Sequence, residues 1–233
     1  MNLPSIFFGS QIAKNSEGDI IRANKLILPP NSKLLVYFDD EDHIDGLNDL
    51  YTRLGFFKDF KSDGPIDFTP AKIQCKIDYC NPDLFIWISK EICESDPIRL
   101  LWIYSHEVQH LRHCVLDSEV HYLGCFLHRF LSSVHPNACS FDIPTEIDCE
   151  GFAEKTVTDI LGETAVQEYL ATLEGKELYL RERFLSAQKS CSQDIKAEIV
   201  KIICQNREKF EDLQNTCIDK AKEPRLNFDF YCK

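Results

Sequence analysis

No stretch of this chain approaches the roughly 18 consecutive apolar residues that a membrane-spanning helix needs, so no membrane partner is expected. The N-terminal MNLPSIFFGSQIAKN has neither the basic start nor the apolar run of about 7–15 residues that marks a secretory signal, which leads us to expect a cytoplasmic location. Positive charge is also short: 26 Lys and Arg stand against 38 Asp and Glu, for a formal charge of −12. A stable, non-specific grip on nucleic acid or on an anionic membrane demands a positive surface. The expected partner is therefore a protein, a peptide or a small molecule. There is no internal repeat and no low-complexity segment.

Paired cysteine motifs are lacking too. The chain has 11 cysteines, an odd number at irregular spacing. Cys75 and Cys80 have no second pair with which to build a zinc ribbon. Cytosolic thiols are kept reduced, so most of these cysteines are expected as small buried apolar residues.

What is present is enough apolar material for a core. Of 233 residues, 44% are hydrophobic and 27% charged, which is ordinary for a folded globular chain. KLLVYF (Lys33–Phe38) reads as a strand between the LPPNS turn and the acidic DDEDH. Ile44–Phe57 reads as a helix, with Leu47, Leu50, Tyr51 and Leu54 at helical spacing. KIQCKI and Leu84–Ile88 are further strand candidates, the second unbroken in hydrophobicity and so expected to be covered. Beyond Gly162, two stretches at about 164–189 and 193–221 carry apolar residues at three- and four-residue steps. They read as a helical hairpin packed on the core or on a partner. The expected division is a core over residues 1–160 and a helical extension over 161–233.

The segment ESDPIRLLWIYSHEVQHLRHCVLDSEV carries the chemistry. Ser95 or Asp96 can cap a helix, and Pro97 suits its first position. Apolar residues wrap nearly all round this helix, which predicts burial. One stripe is polar nonetheless: Arg99, His106, His110, His113 and Asp117. Unpaired polar groups on a buried helix cost about 1–3 kcal/mol each, so the stripe marks a candidate site.

His106 and His110, four apart, lie one above the other on a helix. Two neutral imidazoles so placed can point at one ion, and zinc accepts such nitrogens at about 2.0–2.1 Å. Glu107 is rotated about 100° from His106 and stands beside the ion. There it can take a proton from a zinc-bound water, whose pKa the metal lowers to about 7. The plain alternative is three polar residues satisfied by hydrogen bonds from neighbouring helices. A catalytic zinc needs a third protein ligand and one open position. His113 is two turns from His106, roughly 10 Å along the axis, too far for a relaxed shared site. PTEIDCEGFAEK offers better candidates: Glu146 and Glu150 share a helical face with Ala153, and small residues there let two helices approach closely.

HExxH followed, some tens of residues on, by a helix reading E-x-D-C-E-x-F-A resembles the glutamate-zincin metallopeptidases. Within that group it is most similar to the ImmA/IrrE type of cytosolic bacterial metallopeptidase, over about residues 80–160. The resemblance implies an α+β fold with a zincin-like core, a small mixed sheet packed on the HExxH helix. It implies His106, His110 and Glu146 as zinc ligands and Glu107 as the base. Glu150 would hold a ligand histidine by its other ring nitrogen. Here Glu150 stands where Asp or Asn is usual and Cys149 where Ala is common, and the gap between the motifs is longer. The choice between Glu146 and Glu150 as third ligand stays open.

The expected activity is that of a zinc-dependent endopeptidase, with its substrate extended along the strand before the active helix. The resemblance implies a regulatory protease, such as one that cleaves a helix-turn-helix repressor. The other expectation is a non-catalytic sensor or binding protein with a closed or latent metal site. Cys114, one turn beyond His110, would be an extra ligand in such a form. His121 and His128, seven apart on one helical face, could polarise a substrate, although a hydrogen-bonded histidine is the commoner outcome.

Overall fold

Pro97 opens helix α1 (Pro97–Leu116) in the computed structural model of the chain, at the position its fixed φ and missing N–H suit. The structure describes residues 97–138, 142–172, 194–217 and 225–233 in full, and four upstream strands by their backbone. These are β1 (Ser5–Phe8), β2 (Lys33–Phe38), β3 (Ala71–Lys76) and β4 (Asp83–Ile88). They pair in the order β1-β2-β4-β3, with β2 parallel to both its neighbours and β3 antiparallel to β4. The helix expected over Ile44–Phe57 and the later half of the 164–189 stretch lie outside the described residues.

Of the fully described residues 87% are helical and none lies in a strand. The expected α+β fold class, with a zincin-like core around HExxH, is corrected on this ground: the fully described residues, the HExxH helix among them, are helical. An apolar wrap reports that a helix is covered; it does not name the covering element. Here a helix lies alongside. The Arg112 guanidinium stands 4.8 Å over the ring of Phe152 on helix α3 (Pro144–Leu161), a cation–π contact.

The chain divides into two compact units, residues 1–115 with 152–172 and residues 116–151 with 173–233. The second division falls inside α3, which is one unbroken helix. In the first unit α1 buries Leu100, Leu101, Tyr104, Val108, Leu111 and Cys114. Ala153 and Val157 of α3 are buried, as are Val166 and Leu170 of α4 (Glu163–Thr172). Burial pushes the Tyr104 hydroxyl far above its ordinary pKa. Gly162, at φ 91°, ends α3 in the left-handed conformation that glycine alone adopts freely.

The second unit is organised on α2 (Ser118–Val134). Asp117, read from sequence as part of the polar stripe, is instead its N-cap: the carboxylate accepts from the Val120 N–H at 3.1 Å. One face of α2 buries Val120, Leu123, Phe126, Leu127, Phe130, Leu131 and Val134. Against it pack Ile199 and Ile203 of α5 (Ile195–Gln205) and Phe210 of α6 (Arg207–Cys217). Phe126 is the hub, with ring centroids 5.0 Å from Phe130, 5.5 Å from Phe210 and 6.0 Å from Phe228. Phe228 opens the C-terminal turn α7 (Phe228–Tyr231). Buried Gln214 satisfies both ends of its amide on one residue. Its Nε2 donates to the Leu226 carbonyl at 3.1 Å, and its Oε1 accepts from the Leu226 N–H at 2.7 Å.

Cys204 and Cys232 are joined as a disulfide, against the expectation of reduced thiols. α5 and the C-terminal segment bring their Cα atoms to 5.2 Å, inside the range such a bond requires. Closing a loop between residues 28 apart is worth about 3–4 kcal/mol in chain entropy. Reductant should therefore lower the urea midpoint of the second unit, and Cys232→Ser should lower it equally and abolish the response to reductant.

A Cβ added at Gly124, in the middle of α2, would stand 2.7 Å from both Cγ2 and Oγ1 of buried Thr145. Alanine gains about 1 kcal/mol of helix propensity over glycine, but overpacking a buried contact costs about 1–3 kcal/mol. Thr145 is β-branched and stiff, so the clash should win. Gly124→Ala should lower stability in urea unfolding by about 1–2 kcal/mol, and adding Thr145→Ala should recover the loss. A single variant as stable as the wild type would contradict the close approach.

Candidate metal centre

His106 and His110 sit one turn apart on α1, and their rings converge. Nε2 of one lies 3.1 Å from Nε2 of the other, with ring centroids 4.8 Å apart and planes at 68°. Two neutral imidazoles can share this contact as donor and acceptor. The same opposition is also what one ion requires. Two nitrogens bound to a zinc at about 2.0–2.1 Å, at a tetrahedral angle, stand about 3.3 Å apart. The rings therefore already hold near-ligand geometry.

Neither ring is deeply sunk, but their surroundings are. Glu107, the residue between them, is only 9% exposed. Ser105, fully buried, donates its hydroxyl to the Leu101 carbonyl at 2.7 Å and so leaves the site to its neighbours. His113 is drawn off as well: its Nε2 is 3.4 Å from Nε2 of Gln109, and its ring centroid lies 6.3 Å from that of His110. It does not join the pair, in line with its two-turn distance from His106.

Among the described residues one group of metal-ligating side chains forms, His106, His110 and Cys149, with ligand atoms all within 4.8 Å of one another. Cys149 is 0% exposed. Cys149, Ala153 and Val157, at four-residue spacing, form the buried face of α3.

Glu146 lies three residues before Cys149 and Glu150 directly after it, both half-buried and neither one of the three. Sequence reasoning named Cys149 only as a departure from a family pattern. The signal was present in the chemistry, since a thiolate is as good a zinc donor as a carboxylate, and in the helical wheel, which sets residue 149 beside 146, 150 and 153. Cys114, also buried, is outside the group. His121 and His128 lie on α2, His121 half-buried and 3.7 Å from Cys125 Sγ, His128 exposed.

The donor set fits a divalent ion that accepts nitrogen and sulfur. Two imidazoles and one thiolate leave a tetrahedral ion one open position. Compared with known proteins, the chain matches no family model, no curated protein and no solved structure. Among the described residues, no helix is long and apolar enough to cross a membrane.

Chelator-stripped protein supplied with zinc and then dialysed should retain about one ion per chain, because a converging pair of imidazoles supplies half a tetrahedral shell. His106→Ala with His110→Ala should abolish retention. Elemental analysis showing no stoichiometric metal in the wild type would contradict the centre.

Proposed function

We propose that this protein is a zinc-dependent endopeptidase whose site is His106, Glu107 and His110 of α1 with a third ligand from α3. The observation that carries the reading is the 3.1 Å convergence of the two Nε2 atoms on a buried helix, with an acidic residue between them. A bound zinc would supply a water of lowered pKa, near 7 (about), and polarisation of a carbonyl oxygen. Glu107 has the role of base. Its carboxylate takes a proton from the attacking water and returns it to the departing amine, the usual division of labour for one group in amide hydrolysis. His106 and His110 would hold that ion beside Glu107. The substrate class is a polypeptide, and a transcriptional repressor is the regulatory substrate that the sequence resemblance suggests.

A second reading, a non-catalytic metal-binding protein, is favoured by one observation. Cys149 is wholly buried beside the histidines, and cysteine-rich zinc sites are commonly structural. A cytoplasmic setting is opposed by the Cys204–Cys232 bond, since cytosolic thiols are kept reduced. The functional reading does not depend on the compartment.

Glu107→Gln separates the two readings. The change is nearly isosteric, so fold and zinc content should survive. Cleavage of a quenched peptide library should fall by at least ~10²-fold, the scale of losing a general base. Equal cleavage by wild type and variant, or none by zinc-loaded wild type across the library, would count against the peptidase.

A further inference from the structure

We infer that Cys125 is a modification site: an exposed thiol that His121 activates toward a low-molecular-weight disulfide, giving a mixed disulfide on the surface of α2. None of the residues involved belongs to the metal group, and all of them lie in the second unit.

The sequence pairs the two side chains, and the core holds them in place. Residues four apart on a helix stand one above the other. Leu123, Phe126 and Leu127 of the same helix are buried in the core, which fixes the face of α2 that is left outside. On that face Cys125 is exposed and His121 half-buried. The Cys125 Sγ stands 3.7 Å from the His121 Nε2, within reach of an S–H···N contact when the ring carries its own proton on Nδ1. A nucleophile and a base are thus paired on a packed helix.

The residues three and four positions from Cys125 on either side are His121, Tyr122, His128 and Arg129, and none is acidic. An exposed cysteine among basic groups is the setting that favours the thiolate, the reactive form. The plain alternative is a surface thiol of ordinary reactivity, and Cys217 is the internal comparison. It too is exposed and outside any disulfide. It ends α6, where the negative end of the helix dipole opposes a thiolate, and its sulfur lies 3.6 Å from the Thr216 hydroxyl rather than from a base. Arg129 is common to both thiols: it stands one helical turn from Cys125, and its guanidinium donates to the Cys217 carbonyl at 3.5 Å. The imidazole is what Cys125 has and Cys217 lacks.

In the exchange the thiol proton passes to the His121 Nε2, and the Cys125 thiolate attacks one sulfur of the small disulfide RSSR. The S–S bond breaks, RS⁻ leaves, and it takes the proton back. One protein thiol becomes a protein–S–S–R adduct and one RSH is released. The Cys204–Cys232 bond points to this class of reagent, since a chain that keeps a disulfide occupies an oxidising setting.

The test treats the full chain with oxidised glutathione under native conditions, and peptide mapping by mass spectrometry follows each cysteine. Cys125 should form the adduct about fivefold faster than Cys217, the scale on which one adjacent cation shifts an exposed group. His121→Gln should bring Cys125 down to the Cys217 rate while leaving Cys217 unchanged, and should raise the pH at which the Cys125 rate levels off. The wild-type ratio is read without any substitution, so a poorly folded variant would not remove the test. Cys125 reacting no faster than Cys217, or a folded His121→Gln that keeps the wild-type ratio and pH profile, overturns the inference.

Discussion

Two imidazole nitrogens 3.1 Å apart on a helix whose neighbouring positions are buried set the terms for everything else around them. Burial makes polar groups expensive unless they are paired, and each histidine here spends its Nε2 on the other. That arrangement draws in the residues nearby in an ordered way. Ser105 turns back to its own helix, His113 goes to Gln109, and Glu107 is held between the ring-bearing positions.

The second unit obeys a different constraint, that of filling a core. Phe126 contacts Phe130, Phe210 and Phe228, so it joins three separate segments of chain through edge-on and tilted ring packing. Gln214 and the Cys204–Cys232 bond then fasten the C-terminal segment to the two helices that precede it. At the rim, Lys196 pairs with Glu119, lowering the carboxyl's pKa and raising the ammonium's mainly through their mutual hydrogen bond. Both side chains are substantially exposed, so this pair fixes register more than it adds stability. None of these residues belongs to the metal group.

Local signals were legible in the sequence where the chemistry is local. Pro97 begins its helix as its ring demands, KLLVYF forms β2 over the same six residues, and the four-residue spacing brings His106 and His110 together. Signals that depend on a partner were not. The apolar wrap of α1 indicated burial, but not that a helix lies alongside. Asp117 fits the polar stripe by periodicity, yet its short side chain finds a better use on the Val120 N–H, and the helix ends before it. The long stretch from 193 to 221 breaks at Asn206, where the side-chain amide donates to the Ile202 carbonyl at 2.9 Å and one helix becomes two. Cys149 was hidden by a comparison of letters, since a family pattern with alanine there makes a thiol look like a neutral replacement.

The thiol need not remove the capacity for chemistry. A thiolate and a carboxylate each contribute one negative charge, so exchanging one for the other leaves the net charge of a zinc centre unchanged. What changes is softness. Sulfur donates more electron density to the ion and so weakens its pull on the fourth ligand. Catalytic zinc tolerates this, because sites with two thiolates and one imidazole still activate an oxygen ligand. With a single thiolate the effect is smaller. Whether a zinc held by His106 and His110 would act on a substrate therefore turns on access to its open position and on Glu107, rather than on which donor completes its shell.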